Sequence, residues 1–160
     1  MDITHITVTD VTNIGDPFVL RVGGTYYLYA TSFKDGFDCR TSDDLVHWSE
    51  PRMAYTRGER SFGYTDFWAP EVVFHEGKYI MHYSARRKGD DTLLIGVAVS
   101  DRPEGPFVDV TDGPMFDFGY AAIDGHVLRD GKDSYLFYSR DCSQYVVDGR
   151  RESHIYAVRL

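Results

Sequence analysis

Two acidic residues stand at matched places in this chain, each just ahead of a strand-like run. Asp16 lies in "IGDPFV" (14–19) and Asp124 in "AIDGHVL" (122–128), 108 residues further on. A third stretch of the same kind, "FWAPEVVF" (67–74), carries Trp68 and Glu71 instead. Two carboxyl groups brought to one place can divide acid and base work between them. An indole beside them offers a flat apolar face to C–H surfaces. Alone, Asp16 has a plainer reading: Asp before Pro opens turns, and Pro17 pushes its predecessor towards extended backbone. The elements around these residues decide between the two.

Those elements repeat. "FVLRVGGTYYLYATS" (18–32), "VVFHEGKYIMHYSA" (72–85) and "HVLRDGKDSYLFYSR" (126–140) share one plan: an apolar strand, a polar residue, a Gly-containing turn, an aromatic strand and a Ser/Thr ending. Aligning Gly24, Gly77 and Gly131 gives spacings of 53 and 54 residues. Further strand-like pieces follow at 37–50, 92–110 and 153–160, so each unit holds about four short strands and helical periodicity is lacking. Four strands in about fifty residues predict β-propeller blades, here starting near residues 14, 67 and 122. Evenly spaced hairpins in a β-sandwich are the alternative. Propellers close with about four to eight blades, and this length supplies about three. The expectation is an all-β, partial propeller whose exposed blade edges invite self-association. On this plan Asp16, Trp68, Glu71 and Asp124 meet at one mouth of the central channel. Aromatic faces and paired carboxylates at such a mouth suit chemistry on sugars.

Composition fits this picture. The 160 residues are 42% apolar and 15% aromatic, enough for a packed core. A net charge of −8 and the lack of a Lys/Arg cluster argue against nucleic acid or an anionic membrane as partner. No apolar run reaches the roughly 18 residues of a membrane span. The acidic, strand-like "MDITHITVTD" lacks the regions of a signal peptide, leaving a cytoplasmic or a secreted location. Cys39 and Cys142 lie far apart and read as two buried thiols. His5, His47, His75, His82 and His154 show no ligand spacing, so no metal site is expected, and "DGKD" (130–133) reads as a hairpin turn.

In their order and spacing the three stretches resemble glycoside hydrolase family 43, five-bladed propeller enzymes acting on arabinose- and xylose-containing polysaccharides. "GDPFVLRVGGTYYLYATS" (15–32) resembles the first-blade motif, "DDLVHW" (43–48) the segment after it, "WAPEV" (68–72) the second and "IDGHVLRDGKDSYLFYS" (123–139) the third. The resemblance runs from about residue 13 to 160. It implies that Asp16 is the general base and that Asp124 is the carboxylate that tunes and orients the catalytic acid. It makes Phe33 and Trp68 aromatic walls of the sugar pocket. The family inverts configuration, so base and acid carboxyls should stand roughly 6.5–9.5 Å apart. The acid itself, a fourth-blade Glu, would fall past Leu160, as would the rest of blades four and five. Glu71 and His126 then read as supporting residues, and Glu152 as a salt-bridge partner of Arg150 or Arg151. No cofactor is implied, although the complete domain of this family can carry a structural calcium on its axis. Two other readings stay open: a non-catalytic sugar-binding or assembly-dependent module, and a relative acting on fructans or mannosides, against which "WAPEV" argues.

Overall fold

The computed structural model describes residues 9–160; most of "MDITHITVTD", including His5, lies outside them. The chain folds into consecutive antiparallel sheets. The first orders β1 (Gly15–Val22), β2 (Thr25–Thr31), β3 (Gly36–Ser42) and β4 (Arg52–Thr56) from inner to outer edge. The second repeats the order with β5 (Gly63–His75), β6 (Lys78–Arg87), β7 (Leu93–Ser100) and β8 (Val108–Asp109). In the third, β9 (Ala122–Asp130) pairs with β10 (Asp133–Arg140), which pairs with β13 (His154–Arg159). A 3-10 turn (Cys142–Gln144) and a separate hairpin of β11 (Val146–Val147) and β12 (Arg150–Arg151) interrupt this last sheet. These are propeller blades, and the described residues supply three strands of the third.

Each blade opens with a two-residue hairpin. Val22 pairs with Thr25, His75 with Lys78 and Asp130 with Asp133. Gly23 and Gly131 supply positive φ at the first loop position (62° and 61°), while Glu76 and Gly77 are both positive (48° and 81°). Two-residue loops need such mirror-image turns to match the strand twist. The turns also correct the repeat: Gly131 is the counterpart of Gly23 and Glu76, not of Gly77, so the spacings are 53 and 55.

Other expectations change in detail. The stretch 43–50 is not a strand; Asp44 accepts from the Val46 and His47 N–H groups, both at 2.8 Å, and folds it into a turn before β4. Glu152 pairs with His154 at 3.1 Å rather than with Arg150 or Arg151. The reason is local: Glu152 N–H bonds Tyr145 O, and the His154 ring packs edge-on to Tyr145. Cys39 is buried, but Cys142, in the 3-10 turn, is only partly so.

Two aromatic cores join the blades. Tyr29, Phe37 and Tyr55 of the first blade meet Phe62, Phe67 and Tyr83 of the second. At their centre the Tyr55 and Tyr83 hydroxyls lie 3.0 Å apart and both donate to Asp109, so these buried polar groups are satisfied. Between the second and third blades Ile95, Ala122, Leu136 and Tyr138 pack with Phe118, Tyr120 and Tyr156, and Phe118 stacks on Tyr138 at 4.5 Å.

Candidate active site

The first strand of every blade carries a bulge at the same place. Gly15 pairs with Thr31 and Phe18 with Tyr29; Trp68 pairs with Ser84 and Glu71 with His82; Ile123 pairs with Ser139 and His126 with Phe137. Three residues on the first strand thus span two on the second, and the extra residue is Asp16, Ala69 or Asp124. All three are left-handed, with φ of 48°, 47° and 57°. This corrects the extended backbone expected for Asp16 ahead of Pro17: the bulge outranks the local preference. Such backbone costs a non-glycine residue about 1 kcal/mol or more, so neighbours must hold it. Hydroxyls do so across blades. Ala69 N–H donates to Thr31 Oγ1 and Asp124 N–H to Ser84 Oγ, both at 2.9 Å.

The bulges turn their residues towards one cavity of about 310 Å³, lined by Asp16, Pro17 and Phe18, by Ala69, Pro70 and Glu71, and by Asp124, Gly125 and His126. Each blade contributes one bulge triplet. In the third, Gly125 replaces proline; a Cβ there would lie 3.0 Å from Ile95 Cγ2. The two aspartates are exposed to this cavity. Desolvation by the surrounding protein, then the charges of Asp16 and Asp141, push the Asp124 carboxyl above the usual carboxylate range. Across the floor, Glu71 accepts from His126 Nδ1 at 2.8 and 2.9 Å, tying the second blade to the third.

Phe33 and Trp68 meet at a neighbouring cavity of about 220 Å³, which Thr31, Lys34 and Asp66 also line. Asp66 is fixed there by Arg86 Nε at 2.7 Å. The predicted residues therefore fall into two groups: Asp16, Asp124, Glu71 and His126 around one hollow, Phe33 and Trp68 around the next. Thr31 touches both, since its hydroxyl donates to Asp16 Oδ2 at 2.6 Å. Neither Thr31 nor Ser84 was singled out from sequence, yet both belong to the recurring Ser/Thr ending of the hairpins. Behind the site, His82 is buried, and burial holds its imidazole down to about 4; among the described residues its Nδ1 has no partner.

Two exposed carboxylates, one flanked by a hydroxyl donor, beside an aromatic-walled hollow can bind a sugar ring and activate water at its edge. Among the described residues no three His, Cys, Asp or Glu side chains gather as a metal site.

Comparison with known proteins defines the class. Residues 11–160 match the sequence profile of glycosyl hydrolases family 43. The chain belongs to that family, whose solved members are five-bladed propellers, and it forms part of one. It is 29% identical, over 92% of its length, to an extracellular endo-α-(1→5)-L-arabinanase of Thermotoga petrophila, of which it covers 36%. It superposes on a thermostable family-43 glycoside hydrolase with a TM-score of 0.88 and 40% identity, over 96% of this chain and 50% of that one. An endo-arabinase from Bacteroides thetaiotaomicron matches with a TM-score of 0.85 and 25% identity, over 98% and 54%. The chain thus spans about a third to a half of the length of these relatives.

Proposed function

We propose that this chain is part of an inverting glycoside hydrolase that acts on arabinose- or xylose-containing polysaccharides. The observation that carries the proposal is the pair of aspartates, Asp16 and Asp124, presented at equivalent bulges of two blades to one cavity. Asp16 takes a proton from a water molecule as that water attacks the anomeric carbon. The bond from that carbon to the leaving oxygen breaks on the opposite side, and the leaving oxygen receives a proton from a carboxylic acid. We place that acid outside these 160 residues, which the greater length of the relatives supports. Asp124 supplies the fixed negative charge that keeps the acid protonated until it is needed. Phe33 and Trp68 hold the sugar ring by its C–H faces. The name of the Thermotoga petrophila arabinanase supports a secreted location.

A second reading, a sugar-binding or assembly-dependent module, draws on the uncovered apolar side chains of the third blade, Leu128 and Ile155. Leaving-group chemistry separates the two. The dinitrophenolate of a dinitrophenyl arabinofuranoside or xyloside leaves as the anion without protonation, so its hydrolysis needs water activation alone. The chain should hydrolyse such a substrate and leave the methyl glycoside nearly untouched, since general acid catalysis contributes about 10²–10⁴-fold. Sugar binding with no turnover of the activated substrate would favour the module.

A further inference from the structure

Asp16 is held in a way the other bulge residues are not. Thr31 Oγ1 accepts from Ala69 N–H at 2.9 Å and contacts Asp16 Oδ2 at 2.6 Å. An N–H can only donate and an ionised carboxylate can only accept, so the single hydroxyl proton of Thr31 must point at Asp16. Ser84 has the same place on the second blade and accepts from Asp124 N–H, but the bulge of its own hairpin holds Ala69, with no carboxylate to receive its proton. Among the described residues the Asp124 carboxylate accepts no hydrogen bond. Among the three bulge residues the hydroxyl-to-carboxylate contact is therefore particular to Asp16.

We propose that Thr31 is the positioning residue of Asp16, fixing its carboxylate towards the axial cavity and coupling that orientation to the docking of the second blade. The inference rests on Asp16 being the base. Thr31 engages Oδ2, while Oδ1 accepts no hydrogen bond among the described residues and is the oxygen left open to water. Thr31 further lines the hollow of Phe33 and Trp68, so the residue that orients the base also borders the bound ring.

The test is nuclear magnetic resonance on the isotope-labelled chain, with the Asp16 carboxyl carbon assigned through Asp16→Asn. Thr31→Val removes the shared oxygen and should displace both the Asp16 carboxyl carbon and the Ala69 amide signals. Thr31→Ser keeps the hydroxyl and should leave both near their wild-type positions. Thr31→Ser stands as a test even if Thr31→Val fails to fold. An Asp16 signal unmoved by Thr31→Val would overturn the proposal, as would a serine variant displaced like valine. None of these readings needs turnover, so a chain that hydrolyses nothing would count against Asp16 as base and not against this contact. Where turnover of the activated substrate is measurable, Thr31→Val should lower kcat on the order of 10- to 100-fold with KM little changed. An unchanged kcat would equally overturn it.

Discussion

At the scale of single residues, Asp124 gives the sharpest expectation. Desolvation, Asp16 and Asp141 all raise its pKa, so the folded chain binds the Asp124 proton more tightly than the unfolded chain does. Stability is then lost as pH rises from the ordinary carboxylate value through the raised folded one, and it stays lost above. Asp124→Asn removes that cost. The variant should melt at a higher temperature than wild type near about pH 7, and the advantage should shrink towards about pH 3, where both forms are neutral. Thermal melts across that range check the sign. Turnover should fall in the same variant, a trade of stability for function common at working sites. Both aspartates were legible in sequence because each opens a strand of a repeated unit. Their supports were not. Thr31 and Ser84 appear in sequence only as the ends of hairpins, while the backbone groups they hold lie 38 and 40 residues away.

At the scale of elements, the bulge is the device that makes a site from three similar strands. A regular first strand would alternate its side chains between the two faces of the blade. The extra residue breaks the alternation and turns Asp16, Ala69 and Asp124 to the axis. The strand starts were readable, and so were the hairpin turns. The bulges were not, because neither Asp-Pro nor Asp-Gly announces left-handed backbone inside a strand. Even the alignment of the units was one residue out in the third turn, since Gly131 and Gly77 fill different loop positions. Ser84→Ala should cost about 1–3 kcal/mol in chemical unfolding, because the Asp124 N–H loses the buried hydroxyl that is its partner. Gly96→Ala tests the packing between blades: its Cβ would fall 2.3 Å from Tyr83 Cζ. That displaces the ring from the Tyr55–Asp109 network, and about 1–3 kcal/mol or more of destabilisation should follow.

At the scale of the whole molecule, each inter-blade face is an aromatic seam, and among the described residues nothing packs on the far face of the third blade. Tyr138, Tyr156 and Leu136 pack towards the second blade. Strand alternation puts Ile155 and Leu128 on the other side, where they are 71% and 45% exposed. We propose that chains expressed alone associate through this face. Light scattering on a chromatography column should show a concentration-dependent mass above the monomer, which Ile155→Lys reduces; a wild-type monomer at all concentrations would contradict it. The period of about fifty residues made the propeller legible, because it reflects a unit that cannot bury its faces alone.

The proposed reaction turns on one act, the activation of water by Asp16 on the face of the sugar opposite the leaving group. Its most direct test is proton magnetic resonance of the first sugar released from a dinitrophenyl arabinofuranoside or xyloside, recorded before the anomers equilibrate, with wild type beside Asp16→Asn. Wild type should release the inverted anomer, and the variant should be slower by about 10²-fold or more. A retained anomer, or an equal rate without the carboxylate, would contradict that reaction.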